Sequence, residues 1–276
     1  MLSYRHAYHA GNHADVLKHL VLVYCLDYLT RKEAPLRYID THGGAGLYRL
    51  DSDYARKTGE AAEGIALLQS ADVKSELVQR YLALVASAGD SRLSYYPGSP
   101  WLAAQCLREQ DRLVVTELHS TDLNLLQQTF KRDRRVKVAA QDGFERLLSE
   151  LPVPERRALV LVDPSYEIKA DYDRVKKAVA DALRKMPNAV IAIWMPVVDR
   201  NRSRRLERGL TSLGPSVSVE LGVRPDEVGR GMTASTMVVL NPPWGLDAAL
   251  TSLKEPLMTA LGLADVGHFR LQGNSK

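Results

Sequence analysis

Short apolar runs rich in β-prone residues recur along the chain at 36–39, 113–116, 136–139, 158–162 and 189–194. Between most of them the apolar positions change to helical spacing, and Val175, Ala178, Val179, Ala182 and Leu183 are the clearest case. Alternation of this kind predicts an α/β fold: a parallel, doubly wound sheet joined by crossover helices. Near the end, 217–223 and 235–240 flank the turn-rich Arg224-Pro225-Asp226-Glu227-Val228-Gly229-Arg230-Gly231. That pattern predicts an antiparallel hairpin closing the sheet.

The interval from Gly46 to Leu113 is too long for one strand-to-helix connection and is helix-rich from about Ala61 to Ala88. It predicts an inserted helical subdomain over 50–92, with the main domain formed by 1–49 and 93–276. Tyr95-Tyr96-Pro97-Gly98-Ser99-Pro100 ends the insertion, with Ser99 suited to an N-cap and Pro100 to the first position of a helix running to Arg108. Gly11-Asn12 predicts a break near the start, so that 1–14 form an arm folding back before a helix that begins near Asp15.

Composition narrows the class. With 276 residues, 45% of them hydrophobic, the chain can bury a full core. Its two cysteines, Cys25 and Cys106, cannot form a disulfide framework, which favours a reducing, cytoplasmic setting. The apolar segment 17–29 carries Lys18, His19 and Asp27, too short and too charged for a membrane span or a signal peptide. The net charge of +4 is clustered in two runs, Lys131-Arg132-Arg134-Arg135-Lys137 and Arg200-Arg202-Arg204-Arg205-Arg208. Such runs attract phosphates or form solvated helix faces, and charge alone does not separate the two.

Candidate chemistry lies where strands end. Asp40-Thr41-His42-Gly43-Gly44-Ala45-Gly46 follows the first apolar run, and its glycines let backbone N–H groups approach an anionic ligand. A dinucleotide site would place a third glycine where Arg49 stands. An S-adenosylmethionine site needs only Gly44 and Gly46 close under the methionine part, with Glu117 at the end of the next strand holding the ribose hydroxyls. Asp142-Gly143, after the third strand, is suited to accepting from the adenine amine. The fourth run ends in Asp163-Pro164-Ser165-Tyr166. An exocyclic adenine amine is a poor nucleophile, and a carboxylate (Asp163) and a backbone carbonyl (Pro164) accepting its two N–H groups would localise its lone pair. Tyr166 would stack on the extruded base. Asn241-Pro242-Pro243-Trp244 fits the same pattern but follows the closing hairpin, so it is assigned to a structural turn or pocket wall. His6, His9, His13 and His19 lack the spacing of a recognised metal motif, and no metal is expected. Tyr, Arg, His and Lys on the arm are suited to stacking on bases and holding phosphates.

These segments together, with Gly11-Asn12-His13-Ala14-Asp15-Val16-Leu17-Lys18-His19, Tyr95-Tyr96-Pro97-Gly98-Ser99-Pro100, Glu117-Leu118-His119 and Arg230-Gly231-Met232-Thr233-Ala234-Ser235, resemble the bacterial RlmJ family. Its members are large-subunit ribosomal RNA adenine N6-methyltransferases. The resemblance runs over nearly the whole chain. It implies a Rossmann-like S-adenosylmethionine-dependent methyltransferase sheet, a small helical insertion, and a monomer acting on protein-free ribosomal RNA. It also implies cofactor contacts at His19, His42, Ser99, Glu117, Asp142, Gly143 and Asp163, catalysis by Asp163, and RNA contact by Tyr4, with His6 and Lys18 beside it. Ser165 stands where the family motif has its second proline, so the loop lacks one fixed φ angle. Two alternatives remain at this stage: a non-catalytic RNA-binding module, and a role in DNA metabolism through adenine methylation or catabolism of external DNA.

Overall fold

β1 (Arg37–Asp40) is followed by a two-stranded ribbon, β2 (Leu47–Arg49) with β3 (Tyr95–Pro97). The chain then lays down β4 (Arg112–Thr116), β5 (Val136–Ala139), β6 (Ala158–Val162) and β7 (Val190–Val197), and after them β8 (Ser216–Gly222), β9 (Ala234–Leu240) and β10 (His268–Asn274). The computed structural model describes residues 5–89, 94–226 and 231–274. Tyr4, with its expected RNA contact, and the turn residues Glu227 to Arg230 lie outside the described residues.

The main sheet runs β10-β8-β9-β7-β6-β1-β4-β5. β5, β4, β1, β6 and β7 are parallel, and strand order reverses at β1, which has β4 on one side and β6 on the other. β6 is buried along its whole length, as its unbroken Ala-Leu-Val-Leu-Val run requires of a central parallel strand. The expected hairpin is present, but it does not form the edge. β9 inserts antiparallel between β7 and β8, and β10 pairs antiparallel outside β8. The edge strand went unpredicted because His-Phe-Arg-Leu-Gln-Gly-Asn carries only two large apolar residues.

Helices cover both faces. α1 (His13–Thr30) is buried almost all round through Val23, with the polar Asp15, Lys18 and His19 buried among its apolar residues. Asn12 caps it by accepting from the N–H groups of Ala14 and Asp15, so it begins two residues before the expected Asp15. Between β2 and β3 lie α2 (Asp53–Thr58), a 3-10 turn (Glu60–Glu63), α3 (Ile65–Ser70) and α4 (Glu76–Ser87). Their apolar side chains, among them Ile65, Leu68, Tyr81 and Leu84, share one cluster with α1 and the sheet. α5 (Ser99–Cys106), α6 (Ser120–Phe130), α7 (Gly143–Glu150), α8 (Asp171–Lys185), α9 (Arg200–Thr211) and α10 (Leu246–Ala260) complete the set. Val175, Val179 and Ala182 of α8 face a second cluster on the opposite side of the sheet. Among the described residues, no helix is long and apolar enough to cross a membrane.

Candidate active site

A cavity of about 1060 Å³ opens at the carboxyl ends of the parallel strands, where open α/β sheets bind ligands. Its wall brings together His6, Lys18, His19, His42, Gly44, Ser99, Glu117, Asp142, Gly143, Asp163, Pro164 and Tyr166. Gly46 does not line it. With φ of +73°, that glycine turns the chain, its carbonyl accepts from Gly98 N–H at 2.9 Å, and a side chain there would press on Leu126. Gly46 is thus a turn and packing residue, not the backbone contact expected.

The loop after β1 is built around Asp40. This fully buried carboxylate accepts from the hydroxyls of Tyr38 (2.8 Å) and Ser99 (2.7 Å) and from His42 N–H (3.3 Å). Burial pushes its pKa up to about 6. The Ser99 side chain is committed to Asp40, and Ser99 is the first residue of α5, with Gly98 at the cap. The N-cap expectation is therefore corrected. Gly44 has φ of +58°, and its N–H donates to Glu117 at 2.8 Å. Glu117 also accepts from His119 N–H at 2.6 Å, and burial raises its pKa. The His42 ring meets the edge of Phe144 at 5.2 Å between centroids.

Asp142 also has partners within the protein. One oxygen caps α7 through the N–H groups of Phe144 and Glu145, and the other pairs with Arg174 at 2.6 Å. Burial alone would raise its pKa, but the Arg174 pair and the helix N–H groups hold it below the ordinary value. Both oxygens are engaged, so contact with an adenine amine must share them. Gly143 allows close packing within the protein: a Cβ there would collide with the Thr41 carbonyl.

Asp163 ends β6 and faces a chain of charges. Its Oδ2 accepts from Lys18 Nζ at 2.7 Å, and Lys18 also donates to Asp15 at 2.8 Å. Asp15 in turn pairs with His6 Nε2 at 2.8 Å and accepts from Gly11 N–H at 2.9 Å. Burial raises the Asp163 pKa, against the pull of Lys18. Burial would lower the pKa of Lys18, but its two carboxylates outweigh it and keep the ammonium charged. Oδ1 of Asp163 has no hydrogen-bond partner among the described residues. Tyr166 adopts φ of +54°, is nearly buried, and donates its hydroxyl to the Trp194 carbonyl at 2.7 Å, with Tyr172 at 4.7 Å between ring centroids. Its ring is held as a fixed wall, and Ser165 lines the cavity beside it.

Asn241 lies on the opposite rim. Its N–H donates to Pro215, and its side chain donates to the carbonyls of Pro187 and Ala189, at the starts of β8 and β7. Trp244 is 85% exposed there. β9 carries this segment about 20 Å from the cavity rim, six residues at roughly 3.4 Å each. It is a structural turn and not a pocket wall.

Four partners escaped sequence reasoning: Asp15, Arg174, and Tyr81 and Tyr96 behind His19. Only the fold brings them within reach, although Asp15 at three residues before Lys18 on a helix is a spacing that signals a pair. The basic runs also separate. Arg135 is spent on Asp133 and on the Ala104 carbonyl in the loop before β5, on the far rim. Arg200 is spent on Glu220 and Asp226. Arg202 lines the cavity with its guanidinium 5.5 Å from the Tyr172 ring, and Arg204, Arg205 and Arg208 are exposed on α9. Lys176 of α8 lies across Gly209, where a Cβ would stand 3.0 Å from its Cε. Among the described residues no group of three or more His, Cys, Asp or Glu is placed to hold a metal ion.

The wall suits a nucleoside cofactor with an anionic end. His19 is wholly buried, and its Nε2 has no partner among the described residues although the residue lines the cavity. Burial lowers its pKa to about 3, so the ring is neutral.

The family model described as ribosomal RNA large subunit methyltransferase D, RlmJ, matches residues 33–273. The ribosomal RNA large subunit methyltransferase J of Haemophilus influenzae is 47% identical, over 93% of this chain and 92% of that protein. Its counterpart of the same name from Escherichia coli is 45% identical over 97% of each. Among solved structures, protein LPL1258 from Legionella pneumophila superposes with a TM-score of 0.91 at 35% identity, covering 97% of this chain and 99% of that one. A probable spermidine synthase from Corynebacterium glutamicum shares the fold, with a TM-score of 0.51 at 13% identity over 96% of this chain and 77% of its own.

Proposed function

From the chain's membership of the ribosomal RNA large subunit methyltransferase D, RlmJ, family, we propose that it methylates the N6 amine of an adenine in protein-free large-subunit ribosomal RNA. It would act in the cytoplasm as a monomer, using S-adenosylmethionine and no metal. The observation that carries this reading is the Oδ1 of Asp163, without a hydrogen-bond partner among the described residues, beside Pro164, after β6 and at the cavity wall.

When bound, S-adenosylmethionine supplies an electrophilic methyl group on its sulfonium. His19, Ser99 and the loop at Gly44 would hold its methionine part, Glu117 its ribose, and the Asp142–Gly143 turn with Phe144 its adenine. Asp163 Oδ1 and the Pro164 carbonyl would each accept one N–H of the target amine, which localises the nitrogen lone pair. Lys18 holds the other Asp163 oxygen, so the carboxylate cannot swing away from the amine. As the amine gains its methyl group it becomes cationic, and Asp163, with a pKa already raised by burial, is placed to take the proton. Tyr166, locked by Trp194, would form one wall of the base pocket. His6 and Lys18, which line the cavity, would meet the RNA substrate, and the residues of 50–92 are read as an insertion whose described apolar residues share a core with α1. Family membership does not favour the DNA role or the non-catalytic module.

The test is transfer of labelled methyl from S-adenosylmethionine to naked ribosomal RNA, followed by digestion to nucleosides. The expected product is N6-methyladenosine. Asp163→Asn should lower turnover by at least 100-fold while leaving cofactor affinity within about three-fold. Full activity in that variant would overturn the assignment of Asp163.

A further inference from the structure

Behind the cavity three buried polar side chains stand in file, and two of them, Tyr96 and Tyr81, take no part in the chemistry above. Nδ1 of His19 on α1 lies 2.7 Å from the Tyr96 hydroxyl on β3, which lies 2.8 Å from the Tyr81 hydroxyl on α4. All three residues are fully buried, and the His19 ring stacks on Tyr96 with centroids 5.6 Å apart. At the front of the file, His19 lines the cavity, and its Nε2 has no hydrogen-bond partner among the described residues.

The file can carry its hydrogens in two directions. If Nδ1 bears the imidazole hydrogen and donates to Tyr96, then Tyr96 must donate to Tyr81. The Tyr81 hydrogen is then stranded, because among the described residues its hydroxyl bonds to Tyr96 alone. If Tyr81 donates to Tyr96 and Tyr96 donates to Nδ1, both hydroxyl hydrogens are used and Nε2 carries the N–H. Either direction leaves one hydrogen unused, but a hydrogen on Nε2 belongs to a residue that lines the cavity, where water or a ligand can accept it, whereas Tyr81 does not line it, and this favours the second direction.

We propose that Tyr81 and Tyr96 are positioning residues that hold His19 as the Nε2–H tautomer, so that the cavity presents a donor to the carboxylate of the cofactor's methionine part. An N–H donor suits a carboxylate and gives nothing to an ammonium. His19 also sits at the correct end of the pocket. Its neighbour Lys18 bonds Asp163 at β6, whereas the adenine is assigned to the turn after β5 on the other side of β1. Tyr81 lies in the excursion between β2 and β3, so that excursion sets the polarity of a cofactor contact it does not itself make. The ligand half of this inference rests on reading the cavity as an S-adenosylmethionine pocket.

Calorimetry with S-adenosylmethionine and with its decarboxylated analogue, on the full chain and on Tyr96→Phe and Tyr81→Phe, tests it. Both variants keep the ring and lose only the hydroxyl. Affinity for S-adenosylmethionine should fall about ten-fold in Tyr96→Phe and less in Tyr81→Phe, with affinity for the decarboxylated analogue unchanged. Equal losses for both ligands, or no loss for either, would overturn the proposal. Nitrogen NMR of the ligand-free protein reads the tautomer directly. A protonated Nε2 with a bare Nδ1 on His19 supports it, and the reverse overturns it. If the unsubstituted protein fails to bind S-adenosylmethionine, the pocket reading falls and the ligand half with it, while the tautomer measurement still decides the role of the tyrosines.

Discussion

A buried imidazole is a record of what folding has done to its proton. Burial holds His19 at about 3 and His13 and His42 at about 4, whereas each would titrate near 6.5 in the unfolded chain. The unfolded state therefore binds these protons first, so the stability they contribute is complete above about pH 6.5 and is lost as pH falls towards 4. Asp40 works the other way: raised from 3.8 to about 6, its contribution is complete below 3.8 and is lost as pH rises through 6. Glu117 and Asp163, also raised by burial, act with Asp40, but the large downward shifts of the three imidazoles outweigh them, and the urea midpoint is expected to fall between pH 6.5 and 4.5. His19→Gln should show a shallower fall, and an unchanged slope in that variant would remove His19 from the account. At this scale the sequence was half legible. The Asp163 and Glu117 carboxylates announce themselves by ending apolar runs, but Lys18 and Asp163 are 145 residues apart and no local pattern joins them. Ser99 looked like a cap because serine before proline usually is one, and only the buried Asp40 explains why its hydroxyl points elsewhere.

At the scale of elements, the parallel strands were readable because strands buried on both faces must be apolar throughout. β2, β3 and β10 were not, since short or edge strands need few apolar residues. Helix starts were set by local caps, Asn12 for α1 and Asp142 for α7, and in α7 also by a contact distant in sequence. The first turn of α7 lies against the loop after β1 so closely that residue 143 has no room for a side chain. Gly143→Ala is therefore expected to push α7 from Thr41, costing about 1–3 kcal/mol of stability and weakening S-adenosylmethionine binding, as measured by denaturant unfolding and calorimetry. Wild-type values in both measurements would show that the helix can shift freely.

For the molecule as a whole, the two basic runs that charge alone could not separate are sorted by the sheet. One lies before β5 on the far rim, and the other continues from the cavity mouth along α9, with Lys176 of α8 beside it. Phosphates of a bound RNA should track the second. Arg205→Glu with Lys176→Glu is expected to raise the KM for RNA about ten-fold and flatten its salt dependence, with cofactor affinity unchanged, whereas Lys131→Glu with Arg134→Glu should leave KM within about two-fold. Equal effects from the two pairs in steady-state assays at several salt concentrations would show that sidedness does not matter.

The direction of β9 has a further consequence. It is the strand between β7 and β8 that runs against them, so whatever follows it is delivered to the rim away from the cavity. A residue's surroundings are thus filtered by the polarity of the strand before it: the same few letters line the cavity after a forward strand and form a solvent-facing corner after a reversed one. Trp244 can stand open to water because the sheet has already turned its back on the reaction.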